Sequence, residues 1–279
     1  MTVLVNLIVT LGMLGIVPAG LRLIDPVGPH RIARLWPFLA VPGAVCLWLP
    51  RGALATVLAG LYAAATLVLA AQAPARLLRT RSLAPAEIAV LTALVAPSVA
   101  ATALVAERGG HRLFGFDLDI LALTVPHFHF AGFASALVAG LVCRAAPSSA
   151  GGLSRAAAYS VPAGTLLVLL GYFVDDWAEL VGAAVLTGGM WAVAVLTWRE
   201  IRPRARGRVT GALLSTSAAV LVATMLLALW WALGEATGIT HPTLTWMAAT
   251  HGLGNALGFA LCSMLAWHRL GPDLTEKTP

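Results

Sequence analysis

The sequence predicts an all-α polytopic transmembrane helical bundle of about nine spans, with its N-terminus outside and its C-terminus cytoplasmic. Three observations carry this reading. Of 279 residues, 59% are hydrophobic and 11% charged, at a mean hydropathy of +0.87, far from the composition of globular domains. Apolar stretches of about 18 to 25 residues recur along the chain, each long enough to cross a hydrocarbon core of ~30 Å as a helix. Basic residues gather in every second connection, as the retention of Lys and Arg on the cytoplasmic side requires.

Proline, glycine and charge clusters punctuate the spans at 2–22, 32–49, 52–73, 85–106, 119–143, 154–174, 178–198, 209–234 and 243–268. The first, Val3 to Leu21, lacks the basic leader of a signal peptide and reads as a retained helix. Arg22, Arg31 and Arg34 follow it, and Arg76, Arg79 and Arg81 follow the third span. Arg144 and Arg155 bracket the loop after the fifth. Arg199, Arg202, Arg204, Arg206 and Arg208 follow the seventh, and Arg269 and Lys277 the ninth. The alternate connections hold only Arg51, Arg108 and Arg112. Fifteen basic residues against three set the orientation and favour an odd number of spans.

The connections are short, so residues 1–270 read as one transmembrane domain and 271–279 as a polar cytoplasmic tail expected to fray. The pI of about 10.0 follows from the topology signal and needs no nucleic-acid partner. Cys46, Cys143 and Cys262 lie inside apolar segments at wide spacings, with neither a disulfide framework nor a metal knuckle. The expected surroundings are the lipid of the inner (plasma) membrane, crossed many times.

In this orientation seven of the twelve acidic residues fall outside: Glu107, Asp117, Asp119, Asp175, Asp176, Glu179 and Glu235. Ionisable groups that dip into the apolar layer are costly and become candidates for function. The run Pro126-His-Phe-His-Phe-Ala-Gly-Phe133 places His127 and His129 about 12 and 15 Å below a helix start at Asp119. Pro126 leaves the Ala122 carbonyl without its helical donor, so a kink is expected just above the histidines. Residues two apart diverge by roughly 200° on an ideal helix, so the pair shares a metal only if the backbone is irregular. The alternative is that one imidazole bonds a neighbouring helix and the other a carbonyl.

In Tyr172-Phe-Val-Asp-Asp-Trp-Ala-Glu-Leu180, Asp175 and Glu179 share a helical face. Asp176 with Glu179 three residues on also fits a capping box opening the seventh span. In the ninth span, His251 and Asn255 lie one turn apart beside Gly252, Gly254 and Gly258, which permit close helix approach or interhelical hydrogen bonding. Trp177 and Trp230 suit an outer aromatic belt, Trp191 lies deeper, and Phe128, Phe130 and Phe133 surround the histidine pair.

At Pro126-His-Phe-His-Phe-Ala-Gly-Phe133 and His251-Gly-Leu-Gly-Asn-Ala-Leu-Gly-Phe259 the chain resembles the YndJ-like bacterial membrane family. Some members of that family carry a transporter label. Small actinobacterial proteins of similar type look like membrane terpene cyclases of meroterpenoid or indole-terpenoid pathways, so the resemblance implies an apolar isoprenoid substrate.

The chemistry of such a reaction matches the residues. Cyclising an isoprenoid alkene or epoxide needs an acid, a dry aromatic pocket and a final base. A carboxyl taken out of water tends to keep its proton, and Asp175, Asp176 or Glu179 can supply it. His129, His251 and Asn255 orient the acid or accept the last proton. His127, Phe128, Phe130, Phe133, Trp177, Trp191 and Trp230 are candidates for lining the pocket, where ring faces stabilise a cation. No cofactor or metal is called for. The competing expectation is a transporter or proton-coupled carrier using the same His and acid groups. A third, a His-ligated metal or haem protein, needs His127 or His129 to meet His251.

Overall fold

The computed structural model describes residues 2–24 and 30–275. The protein is 88% helix, with no strand among the described residues, so the expected all-α class holds. Nine helical segments follow one another among those residues. They are α1 Val3–Ile24, α2 His30–Cys46, α3 Ala53–Thr80, α4 Pro85–Arg108, α5 Leu118–Ala145, α6 Ser148–Gly171, α7 Asp176–Arg204, α8 Arg208–Thr237 and α9 over 244–275. Seven are long and apolar enough to cross a membrane. The other two are α2, which is 17 residues long and carries Pro37 and Pro42, and α9, which is broken by π turns at Ala248–Gly252 and Gly254–Leu261.

Three helices, α3, α7 and α9, run six or seven residues beyond their expected C-terminal ends, and α6 begins six residues before its expected start. α3 continues through Gln72–Thr80 because Pro74 falls in the first turn of that stretch, where a missing N–H costs no ladder bond. α9 runs to Thr275, five residues into the expected tail. Glu276 to Pro279, with Lys277, lie outside the described residues.

The chain forms two compact units, residues 1–83 with 90–134 and residues 84–89 with 135–279. In the first, α1 carries a π turn at Gly12–Ile16, in which the Val17 N–H bonds the Gly12 carbonyl. Pro18 has no N–H to offer Met13, so the Met13 carbonyl is left over. Trp36 of α2 supplies the missing donor, Nε1 to O at 2.8 Å. Gly43 admits the Tyr62 ring of α3, whose Cγ would lie 2.6 Å from any added Cβ.

In the second unit α6 and α7 form the closest pair. A Cβ at Gly164 would lie 2.4 Å from the Leu186 N, one at Gly171 2.5 Å from the Glu179 Cα, and one at Gly182 2.4 Å from the Val168 N. Three glycines on one seam bring backbone against backbone, the usual device of helices packed in lipid. On α9, Gly254 and Gly258 meet Thr224 and Val220 of α8. The hydroxyls of Ser217 and Ser263 join the same two helices at 2.6 Å.

Candidate functional site

The acidic segment opening α7 divides by role. Asp175 has extended φ and ψ of −171° and 175°, and its carboxylate accepts from the Ala178 N–H at 2.8 Å. Asp175 is therefore the N-cap in place of the expected Asp176, which is already helical, and no capping box forms, because Ala178 at the third position has no side-chain acceptor to reach back. Asp176 and Trp177 are exposed.

Glu179 alone turns inward, 8% exposed, where Gly171 leaves room for its backbone. The Tyr172 hydroxyl donates to its carboxyl, and Asp176 and Glu235 are near enough for their charges to be felt there. Glu235 ends α8 and pairs with His241 Nε2 at 3.3 Å. His241 lies against Gly234, where a Cβ would come within 2.3 Å of it. Trp230 Nε1 fixes the same turn through the Thr240 carbonyl at 3.0 Å. Near these groups lies an apolar cluster of Val168, Ala183 and Ala232 with Leu180, Leu229 and Trp231. The second unit thus places a sheltered carboxyl on the same helices as a packed apolar cluster that includes one aromatic ring, Trp231.

His251 and Asn255 do meet, and a third residue closes their circuit. His251 Nδ1 faces the Thr224 carbonyl at 2.8 Å. A carbonyl only accepts, so Nδ1 carries the hydrogen and Nε2 is the basic atom. Asn255 Nδ2 donates to that Nε2 at 3.1 Å, and the Thr224 hydroxyl donates to Asn255 Oδ1 at 2.8 Å. His251 and Asn255 are both half-buried.

Within α5 the helix changes to π-helix over Phe128–Ser135, so the irregularity expected at Pro126 is a π stretch. His129 is fully buried. Its Nδ1 donates to the Val125 carbonyl at 2.7 Å, which leaves Nε2 to accept from the Tyr62 hydroxyl at 2.6 Å. Gly12 makes room, since a Cβ there would lie 3.0 Å from the His129 Cβ. One imidazole therefore bonds both a carbonyl and another helix. Tyr62→Phe, which takes the donor from Nε2 in a dry core, is expected to cost about 1–3 kcal/mol. Detergent-solubilised unfolding curves of the two proteins check this.

His127 stacks edge-on against Phe128 at 5.4 Å. Phe128, Phe130 and Phe133 are buried, Trp191 is half-buried and Trp230 is exposed. Among the described residues, no three His, Cys, Asp or Glu side chains form a metal-ligating group.

Tyr172, His241, Thr224 and Tyr62 were not singled out from sequence. Tyr172 stands seven residues before Glu179, two turns away had the helix continued, and His241 six after Glu235 across a turn at Gly238. Tyr62 and Thr224 lie in unremarkable apolar runs, 67 and 31 residues from the partners they bond.

Long apolar helices with buried polar clusters define a polytopic helical protein of the membrane type. Within that class, the chain belongs to the YndJ-like protein family, whose profile matches residues 7–259. Neither a curated protein nor a solved structure matches it.

Proposed function

We propose that this protein is a membrane-embedded terpene or meroterpenoid cyclase in which Glu179 donates the proton that starts ring closure. The observation that carries this reading is the Glu179 carboxyl itself: 8% exposed and on helices that share the apolar cluster around Trp231. Shelter from water is the condition under which a carboxyl remains a proton donor, and apolar surroundings with the Trp231 ring suit the carbocation that follows. The proton adds to an alkene carbon or an epoxide oxygen, the resulting cation is captured by the next double bond, and a base removes a proton elsewhere. Substrate and product are then isomers. His251, with Nε2 as its basic atom, is the assigned base, and Asn255 its positioning residue.

Asp175 is assigned to capping, Asp176 to the exposed rim, and His129 to holding α1, α3 and α5 together through Tyr62. Incubating the purified protein with a panel of prenylated indoles and phenols and their epoxides tests the reading. The expected product is an isomer of unchanged mass, made by Asp175→Asn and lost in Glu179→Gln.

The proposed setting is the plasma membrane, crossed nine times by one domain over residues 1–270, with the N-terminus outside and 271–279 cytoplasmic. Support comes from the fifteen-to-three distribution of basic residues and from nine helical segments among the described residues. In a cysteine-free background, Arg112→Cys and Asp176→Cys are expected to label from outside and Arg206→Cys only after permeabilisation. The reverse pattern would overturn the orientation.

A further inference from the structure

Glu107 and Arg108 close α4 and look like loop charges in the sequence, yet their side chains are 2% and 9% exposed. Glu107 Oε1 accepts from Arg51 Nε at 2.9 Å and Arg108 Nη2 at 2.6 Å, and Oε2 accepts from Arg108 Nε. Arg108 Nη1 donates to the carbonyls of Cys46 and Leu49 at 3.3 and 3.2 Å. The Gly52 N–H returns a bond to the Arg108 carbonyl at 3.0 Å. The end of α2, the turn into α3 and the end of α4 are thereby fixed as one wall. Desolvation offsets much of what a buried ion pair contributes to stability, so a wall of this kind is better explained by what it faces.

It faces a cavity of about 50 Å³, several times the roughly 10–15 Å³ that one water needs. Asn6 of α1 and Asp119 of α5 complete the polar lining, and Val5, Val9, Leu104 and Leu123 supply apolar walls. The four charged groups, Arg51, Arg108, Glu107 and Asp119, are two of each sign, so the lining offers no net charge to compensate an ionic occupant. Glu107 and Arg108 are committed to each other. Arg51, with 46% of its side chain exposed, retains N–H groups to donate. Asp119 presents a carboxylate, and Asn6, one of whose two Nδ2 hydrogens goes to the Leu47 carbonyl at 2.8 Å, adds an amide group with an Oδ1 acceptor. A donor and two acceptors around one space complement a hydroxyl, which donates and accepts at once.

We propose that this cavity binds the hydroxyl end of a neutral long-chain alcohol, with the hydroxyl between Arg51 and Asp119 and the first carbons against the valines and leucines. The assignment is independent of Glu179, which belongs to the other unit.

Binding of tritiated farnesol to the full chain in lipid nanodiscs tests it. Saturable one-to-one binding is expected, displaced by unlabelled farnesol and at least about tenfold less well by farnesoic acid, farnesylamine or farnesene. Asp119→Leu, at an exposed position and in protein whose helicity matches wild type, is expected to weaken binding about tenfold or more through loss of a hydrogen bond to a charged group. Ala122→Trp, which fills the space, is expected to abolish it in protein whose gel-filtration profile and helicity match wild type. Absence of saturable binding would overturn the proposal. So would binding unchanged in Asp119→Leu, or tighter binding of the acid or the amine than of the alcohol.

Discussion

Glu179→Gln is expected to lower turnover of a cyclisable prenylated substrate by about 10²- to 10⁴-fold, the usual contribution of a general acid. The amide keeps the shape of the side chain and its room beside Gly171 but carries no donatable proton. Asp175→Asn is expected to leave turnover near wild type, because Asn caps a helix as well as Asp and the Ala178 N–H keeps its acceptor. Tyr172→Phe separates positioning from proton donation. It removes the hydroxyl that orients Glu179, so a smaller loss is expected, with a changed pH profile and an intact fold. Single-turnover rates of the four proteins on one substrate check the set. Equal loss in Asp175→Asn and Glu179→Gln would mean that the segment acts through folding alone.

The largest effect on stability is expected along the α6–α7 seam. Gly164→Val or Gly182→Val drives a branched side chain into backbone 2.4 Å from the new Cβ. Backbone there cannot swing aside as the end of a long side chain can. Each is expected to cost about 3 kcal/mol or more, at the upper end of overpacking. Gly188 and Gly211 are helical too, but nothing lies within 4 Å of a Cβ on either. Gly188→Ala and Gly211→Ala are therefore expected to be neutral or stabilising by roughly 0.5–1 kcal/mol. Unfolding of the four variants in mixed micelles, followed by circular dichroism, distinguishes seam from surface.

The positions of the helices were legible because bilayer-length apolar runs and arginine clusters are one-dimensional signals. α4 and α8 lie within three residues of the expected bounds, and α3 exceeds them because Pro74 reads as a break when it sits in a first turn. The pairing of His251 with Asn255 was legible as well, since a spacing of four is local geometry. The choice among Asp175, Asp176 and Glu179 was not. It depends on which residue takes the extended backbone of the cap, and on the inward turn of Glu179 against Gly171. Nor was the fate of His129, because its Nε2 partner Tyr62 arrives from 67 residues away through an opening made by Gly12 and Gly43. Glu107 and Arg108 misled for the opposite reason. Adjacent opposite charges before Gly109 and Gly110 have the composition of a wet loop, and only the fold brings Arg51 and the carbonyls of Cys46 and Leu49 around them.

In the proposed function Glu179 performs chemistry on an apolar substrate, as opposed to passing protons or solutes across the bilayer. Sealed liposomes carrying the purified protein, given a labelled prenylated aromatic compound with and without a proton gradient, test it most directly. An isomer of the same mass is expected to accumulate at a rate independent of the gradient and to disappear in Glu179→Gln. Recovery of unaltered compound inside the vesicles, concentrated in proportion to the gradient and dependent on Glu179, would contradict the proposed function and make the protein a carrier.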